Sequence, residues 1–222
     1  RIINSDGSEA EMCGNGIRCF AKYVYDSGII EKKQFTVETP AGIMEPEITV
    51  GADNKAELIT INMGRPSFNR SEIPMEGTDG RVLNEDLGVD GENWKITSLL
   101  MGVPHTVTYV DDVDSVDIEK IGPLFEKHEA FPKHTNINFA QQMDDRTVKV
   151  RTWERGAGAT LACGTGSCSV AVASFLNGRT GREVDIQLPL GTLHIEYREE
   201  DGNVYMTGPA AVSFTGTWPD ET

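Results

Sequence analysis

The chain has 222 residues, of which 38% are hydrophobic and 25% are charged, an ordinary composition for a globular protein that can bury a core. Its formal net charge is −15. We therefore expect neither nucleic acid nor an anionic membrane surface as a partner, because both repel an acidic protein. No apolar stretch reaches the length of a membrane span and no signal-peptide pattern opens the chain. These features favour a cytoplasmic protein whose four cysteines are reduced.

The first cysteine stands directly before a predicted helix. The motif Met12-Cys13-Gly14-Asn15-Gly16 is followed by apolar residues with the i, i+3, i+4, i+7 spacing of one helix face, and Gly28 is a typical helix end. At a helix start, unpaired N–H groups and the helix dipole favour an anion. We therefore expect a lowered pKa for the Cys13 thiol, with room beside it for a substrate carboxylate.

The middle of the chain changes to strand patterns. Short alternating runs between residues 35 and 61 predict β-hairpins, and residues 118–128 predict a short helix. Residues 66–92 are rich in Pro, Gly, Asp and Glu and have no sustained period, so we interpret them as a linker. Further strands are predicted at residues 95–110, 135–139 and 147–153.

A second cysteine repeats the pattern of the first. Ala162-Cys163-Gly164-Thr165-Gly166 leads into residues 166–177, which are apolar almost all round and therefore predict a helix buried inside a curved sheet. Gly28 and Gly178 both lie 15 positions after their cysteine. We interpret this match as an internal repeat with two copies of one helix-and-strand unit. A pseudo-twofold arrangement would bring the two thiols face to face across a cleft, each with the lowered pKa of a helix start.

The four cysteines could alternatively bind zinc. Their spacings, Cys13-x5-Cys19 and Cys163-x4-Cys168, differ from the C-x2-C pattern of zinc sites, and no histidine lies beside them. We therefore expect no metal ion. Cys19 and Cys168 are interpreted as packed helix residues without a catalytic role.

Two longer segments resemble a known family. The first is Asn4-x-Asp6-Gly7-Ser8-Glu9 before the Cys13 motif, and the second is Trp153-Glu154-Arg155-Gly156-x-Gly158-x-Thr160 before the Cys163 motif. Both closely resemble the signature regions of the diaminopimelate epimerases, and the resemblance spans essentially the whole chain. It implies an α/β fold of the α+β type, in which two pseudo-symmetric domains each wrap a mixed β-sheet around a central helix. The implied domains are residues 1–66 plus 209–222 and residues 67–208.

The resemblance also implies a reaction. The family interconverts LL- and meso-diaminopimelate without pyridoxal phosphate or another cofactor, in lysine and peptidoglycan precursor biosynthesis. One cysteine thiolate removes the α-proton while the opposite thiol protonates the other face of the carbon, and Cys13 and Cys163 are the matched positions. His105 and Glu154 would assist by setting the protonation of the thiols. The residues implied to bind the substrate are Asn4, Gly14, Asn15, Asn136, Glu154, Arg155, Gly164 and Thr165.

Two departures from the family pattern leave the substrate open. The family usually has asparagine at the position of Val103, and its first strands are expected to be missing before Arg1. Their absence would expose Ile17, Phe20 or Val24 on the first cysteine-led helix. The alternatives are a related amino-acid racemase of the same fold and a binding protein that does not catalyse, against which the cysteine pair argues. A small amino acid is the expected partner, and assembly as a homodimer is left open.

Overall fold

The computed structural model describes residues 2–3, 7, 9–10 and 12–217, and the chain forms two compact units. Unit 1 lies within residues 1–60 and 208–222, and unit 2 is Ile61–Thr207. The domain boundaries that the family resemblance implies, at residues 66 and 208, stay a prediction.

Unit 1 contains one helix and several short strands. The helix α1 (Gly14–Asp26) begins directly after Cys13, whose backbone is extended, and it ends before Gly28. Gly28 has a φ of +70°, a conformation that glycine adopts without strain, as the predicted helix end requires. The strands pair antiparallel as β1 (Ile2–Ile3) with β2 (Glu9–Ala10), β3 (Val37–Thr39) with β4 (Gly42–Met44), and β5 (Glu47–Val50) with β6 (Ala56–Asn62).

The apolar stripe of α1 is mostly buried. Ile17 and Val24 are 3% and 5% exposed, whereas Phe20 is 45% exposed. Of the three residues expected to face water, only Phe20 does so. Cys19 is exposed as well, so its interpretation as a packed residue is wrong. The reason is its position, because Cys19 lies outside the i, i+4, i+7 stripe that the helix buries.

Unit 2 is a mixed β-sheet. Its strands follow the order β15-β14-β13-β11-β10-β9-β8-β7, with β12 beside β11. The pairs β9–β10 and β11–β13 are parallel, and the other pairs in this series are antiparallel. The strands are β7 (Val82–Val89), β8 (Glu92–Met101), β9 (Val103–Tyr109), β10 (Asn136–Gln142), β11 (Thr147–Glu154), β12 (Gly158–Thr160), β13 (Glu183–Leu188), β14 (Gly191–Tyr197) and β15 (Val204–Pro209).

The helix α3 (Gly164–Leu176) is the central element of unit 2, as predicted. Residues 166–174 are buried, and the helix packs against strands on both sides of the sheet's middle, among them β8, β9, β10, β11, β13 and β14. Its buried hydroxyl groups bond backward to the helix itself, since Ser167 donates to the Cys163 carbonyl at 2.9 Å and Ser169 donates to the Thr165 carbonyl at 2.8 Å. The burial of α3 therefore fixes the position of Cys163 at its start.

A second helix, α2 (Ile118–Glu126), follows a 3₁₀ turn (Val113–Ser115) and packs against β10, β11 and β12. The contact with β11 is close: a Cβ atom added at Gly122 would lie 2.6 Å from the ring of Trp153. Phe125 of α2 also packs edge-to-face with Phe139 of β10. This second core supports the end of β11, where Glu154 stands.

Residues 66–92 are not the linker that their composition predicted. They include β7, and Ile73 and Met75 belong to the core around α2. The buried guanidinium of Arg70 donates to the carbonyls of Glu76 and Thr78, both at 3.0 Å. The composition misled because one arginine satisfies backbone groups that would otherwise need water.

The contact between α2 and β11 gives a stability prediction. We expect Gly122→Ala to lower the free energy of unfolding by about 1–3 kcal/mol, because overpacking against Trp153 outweighs the gain of about 1 kcal/mol in helix propensity. Urea unfolding followed by circular dichroism measures the change. The matched control is Gly181→Ala, at a glycine whose added Cβ would meet no atom within 4 Å. Equal stability of the two variants would contradict the close contact.

Candidate active site

Cys163 is the N-cap of α3 and is only 5% exposed. Its Sγ accepts a hydrogen bond from the Gly166 N–H at 3.4 Å. The thiol also donates to Oε2 of Glu154 at 3.1 Å. Burial, and after it the negative charge of Glu154, raise the pKa of Cys163 to about 12. Cys163 is therefore a neutral thiol at physiological pH.

The lowered thiol pKa that the sequence predicted is thus wrong for Cys163. The Gly166 N–H and the Thr165 hydroxyl, 3.5 Å from Sγ, do favour the thiolate. These two hydrogen bonds are outweighed, because desolvation and a neighbouring carboxylate both disfavour a second negative charge. The helix start alone does not decide the protonation state of this cysteine.

Cys13 has the same backbone setting in unit 1. It is the N-cap of α1, and its Sγ accepts the Gly16 N–H at 3.4 Å, the distance also found at Cys163. The backbone dihedrals are alike, with φ and ψ of −140° and 114° at Cys13 and of −123° and 111° at Cys163. Cys13 is half-buried rather than buried. The repeat found in the sequence is therefore also a repeat of local structure.

Each cysteine is followed by backbone amides that can bind an anion. Gly14 and Asn15 open α1, and Gly164 and Thr165 open α3. The N–H groups of a first helical turn have no acceptor within the helix, and both helices are 13 residues long, so each start carries a positive partial charge. In each unit, a carboxylate could be bound beside a thiol.

Asn136 fixes the segment that carries Glu154 and Arg155. Its Oδ1 accepts the Arg155 backbone N–H at 2.7 Å, and its Nδ2 donates to the Pro104 carbonyl at 3.0 Å. The side chain of Arg155 is exposed, and its Nη1 donates to the Lys133 carbonyl at 2.8 Å. The sheet therefore orients a guanidinium group close in sequence to the carboxylate that contacts Cys163.

His105 stands beside Asn136 in the parallel pairing of β9 with β10 and is fully buried. Its Nδ1 lies 3.3 Å from Nδ2 of Asn138. Its Nε2 is buried and has no hydrogen-bond partner among the described residues. Burial, and then the charge of Arg155, lower the pKa of His105 to about 3, so the ring is neutral at physiological pH.

Unit 2 brings together most of the predicted site, and unit 1 holds the rest. Asn4 lies outside the described residues. The meeting of the two thiols stays a prediction. The residues in unit 2 are His105, Asn136, Glu154, Arg155, Cys163, Gly164 and Thr165, and those in unit 1 are Cys13, Gly14 and Asn15.

The sequence did not point to Glu126, which holds the Glu154 segment from the other side. The buried carboxylate of Glu126 accepts the Trp153 ring N–H at 2.7 Å and the Gly156 backbone N–H at 3.2 Å. An acidic residue at the end of a helix is usually solvated, so no pattern marks it. Asn138 was also missed. It follows Asn136 by two positions on one strand face, a spacing that the sequence does show.

None of the helices in the described part of the chain has the length and hydropathy needed to cross a membrane. Within residues 2–3, 7, 9–10 and 12–217, no group of three or more His, Cys, Asp or Glu side chains is placed to hold a metal ion.

Solved structures of racemases and epimerases share this fold. A hydroxyproline epimerase from Agrobacterium vitis matches with a TM-score of 0.65 and 16% identity, over 93% of this chain and 65% of its own. A probable proline racemase from Agrobacterium radiobacter matches with a TM-score of 0.66 and 15% identity, over 96% of this chain and 70% of its own. The predicted fold class, a mixed sheet around a central helix, is confirmed.

Comparison of sequences identifies the family, whereas the solved structures identify only the fold. The model of the diaminopimelate epimerase family matches residues 1–69 and 97–213. The diaminopimelate epimerase of Pelotomaculum thermopropionicum is 50% identical over 222 residues, which are 100% of this chain and 79% of that protein. That of Heliobacterium modesticaldum is 50% identical over 219 residues, 99% of this chain and 78% of that protein. The chain belongs to the diaminopimelate epimerase family.

The contact between Cys163 and Glu154 gives a second prediction. In Glu154→Gln the thiol stays buried but loses a neighbouring negative charge, so its pKa should fall and its alkylation by iodoacetamide at mildly alkaline pH should become faster. Mass spectrometry of the Cys163 peptide follows the rate. Glu119→Gln, at an exposed carboxylate of α2, is the control and should react like the wild type. An unchanged rate in Glu154→Gln would show that burial alone sets the pKa.

Proposed function

We propose that this protein is a diaminopimelate epimerase that interconverts the LL and meso isomers by moving a proton at Cα, in lysine and peptidoglycan precursor biosynthesis. The observation that carries the proposal is the repeated site, in which a thiol and the backbone amides of a first helical turn stand at the start of a helix in each unit of a chain from this family. The chemistry needs no pyridoxal phosphate, because two thiols and a set of N–H donors supply the proton transfer and the charge stabilisation.

Cys163 acts as the acid in the resting enzyme. Its thiol donates to Glu154 at 3.1 Å, and its raised pKa keeps the proton in place. Cys13 then acts as the base, in the thiolate form. In one turnover, Cys13 takes the α-proton from one face of the carbon, and Cys163 gives its own proton to the other face. The C–H bond that breaks is replaced by the one that forms, and the two cysteines exchange protonation states for the reverse reaction.

The amides at the helix starts bind the α-carboxylate. Gly164 and Thr165, together with Gly14 and Asn15, offer N–H donors to the charge that spreads onto the carboxylate when the α-proton leaves. Glycine at the first position of each helix lets the backbone approach the ligand closely.

Arg155 binds the distal carboxylate. Its guanidinium is exposed, and one nitrogen is anchored to the Lys133 carbonyl, so the planar group is oriented for a two-point contact. Both polar atoms of the Asn136 side chain are engaged with the backbone, so we assign to Asn136 the placement of Arg155. The role of Asn4 stays a prediction, as do a cytoplasmic location, a homodimer and the lack of a nucleic-acid partner.

The two thiols give the third prediction. Cys13→Ala and Cys163→Ala should each lower the rate of inversion of LL-diaminopimelate by roughly 10²–10⁴-fold, the usual contribution of a general acid or base. Chiral chromatography of the two isomers measures inversion. Cys19→Ala, at an exposed cysteine on the same helix that follows Cys13, is the matched control and should keep the wild-type rate. A Cys13 or Cys163 variant with wild-type inversion would refute the two-thiol mechanism.

The substrate gives the fourth prediction. Arg155→Lys should raise the KM for diaminopimelate by about tenfold or more, because lysine cannot make the two-point contact with a carboxylate. Arg146→Lys, at an exposed arginine near a different turn, is the control.

A panel of L-amino acids, assayed by solvent deuterium incorporation at Cα, tests the substrate itself. We expect diaminopimelate to exchange far faster than lysine, which lacks the distal carboxylate. Faster exchange of another amino acid would favour the related racemase that Val103 left open.

A further inference from the structure

The imidazole of His105 has one nitrogen for which the described residues provide no partner. The residue is fully buried, and Nε2 is among the few buried side-chain atoms in the described part of the chain that lack a hydrogen bond. An unpaired polar atom in a protein interior costs free energy, so it usually has a functional explanation. What Nε2 can offer depends on which ring nitrogen carries the hydrogen.

The contacts of Asn138 show which ring nitrogen of His105 carries the hydrogen. Its Nδ2 donates to the Thr106 backbone carbonyl at 3.0 Å, and its Oδ1 accepts from the Thr152 hydroxyl at 3.0 Å. A carbonyl oxygen can only accept, so the contact with Thr106 identifies which end of the amide is the NH₂ group. The same Nδ2 lies 3.3 Å from Nδ1 of His105. Nδ1 must therefore accept, and the hydrogen of the neutral ring belongs on Nε2.

We propose that Asn138 is a positioning residue that holds His105 as the Nε2–H tautomer, so that His105 supplies a hydrogen-bond donor to the reaction and not a base. The inference rests on the proposed function and deepens it. Proton removal is left to the thiols alone, and the buried Nε2–H serves an anionic acceptor. The low pKa of His105, about 3, agrees with a ring that stays neutral while it donates.

Asn138 also touches the start of α3. A Cβ atom added at Gly166 would lie 2.6 Å from Oδ1 of Asn138 and 3.2 Å from Sγ of Cys163. A larger side chain at position 138 would therefore displace the Cys163 turn as well as the imidazole. Aspartate has the same shape as asparagine but cannot donate, so Asn138→Asp removes the hydrogen bonds to His105 and to the Thr106 carbonyl without adding volume.

The tautomer can be measured directly by NMR. The chain has 4 histidines, and long-range ¹H–¹⁵N spectra of histidine-labelled protein report the protonation of each ring nitrogen. The His105 signals are those that disappear in His105→Gln. We expect a protonated Nε2 and an unprotonated Nδ1, with no titration between about pH 5 and 8, where an ordinary histidine titrates. The variant serves only to assign the signals, and the tautomer itself is measured on the wild-type protein.

The variant tests the role in the reaction. In Asn138→Asp the carboxylate accepts at Nδ1, so the hydrogen should move to Nδ1 or the ring should become cationic, and kcat should fall about tenfold or more while KM changes little. Asn177→Asp is the control. It removes a comparable amide donor, which bonds the Thr97 hydroxyl at 2.9 Å and the Ala173 carbonyl at 2.8 Å, and should alter neither the tautomer nor kcat.

The outcomes are distinguishable. A wild-type ring protonated on Nδ1, or a tautomer unchanged in Asn138→Asp, would overturn the inference. A moved tautomer with wild-type kcat would overturn the role of Asn138 in the reaction. If the tautomers behave as expected but no amino acid is epimerised, the proposed function fails while Asn138 still fixes the ring.

Discussion

The hydrogen bond from the Cys163 thiol to the Glu154 carboxylate is the interaction on which the site of unit 2 depends. It spans 3.1 Å between a helix start and the end of a strand. Both ends must be rigid for this bond to form. The helix is rigid because it is buried within the sheet, and the strand end is held by Glu126 on one side and Asn136 on the other. The chemistry of one thiol thus rests on packing across much of unit 2.

Electrostatics explains why this thiol keeps its proton. A helix start is equivalent to about half a positive charge, whereas the carboxylate of Glu154 carries a full negative charge close to Sγ. Burial is the larger cause of the raised pKa of Cys163, since it removes the water that would solvate a thiolate, and the charge of Glu154 adds to it. Whether a thiol at a helix start is ionised therefore depends on its burial and on neighbouring charges as well as on the helix dipole.

Local features of the site could be predicted from the sequence. Each cysteine and the glycines that follow it are adjacent in the sequence, and both helices begin directly after the cysteine, as this motif predicts. The buried α3 followed from its lack of a polar face. Features that depend on distant residues could not be predicted in this way. The raised pKa of Cys163 depends on burial by the sheet and on Glu154, nine positions earlier, and the supposed linker is folded around the guanidinium of Arg70.

The central claim is that two different thiols handle the proton on the two faces of Cα. It is tested most directly by the reaction of LL-diaminopimelate in D₂O, followed by mass spectrometry of each isomer at early times. Since the acid thiol exchanges its hydrogen with solvent, the meso product should carry deuterium at Cα from the first turnover, while the remaining LL substrate should carry none. A product that retains the substrate's own hydrogen would mean that a single base serves both faces, and would contradict the claim.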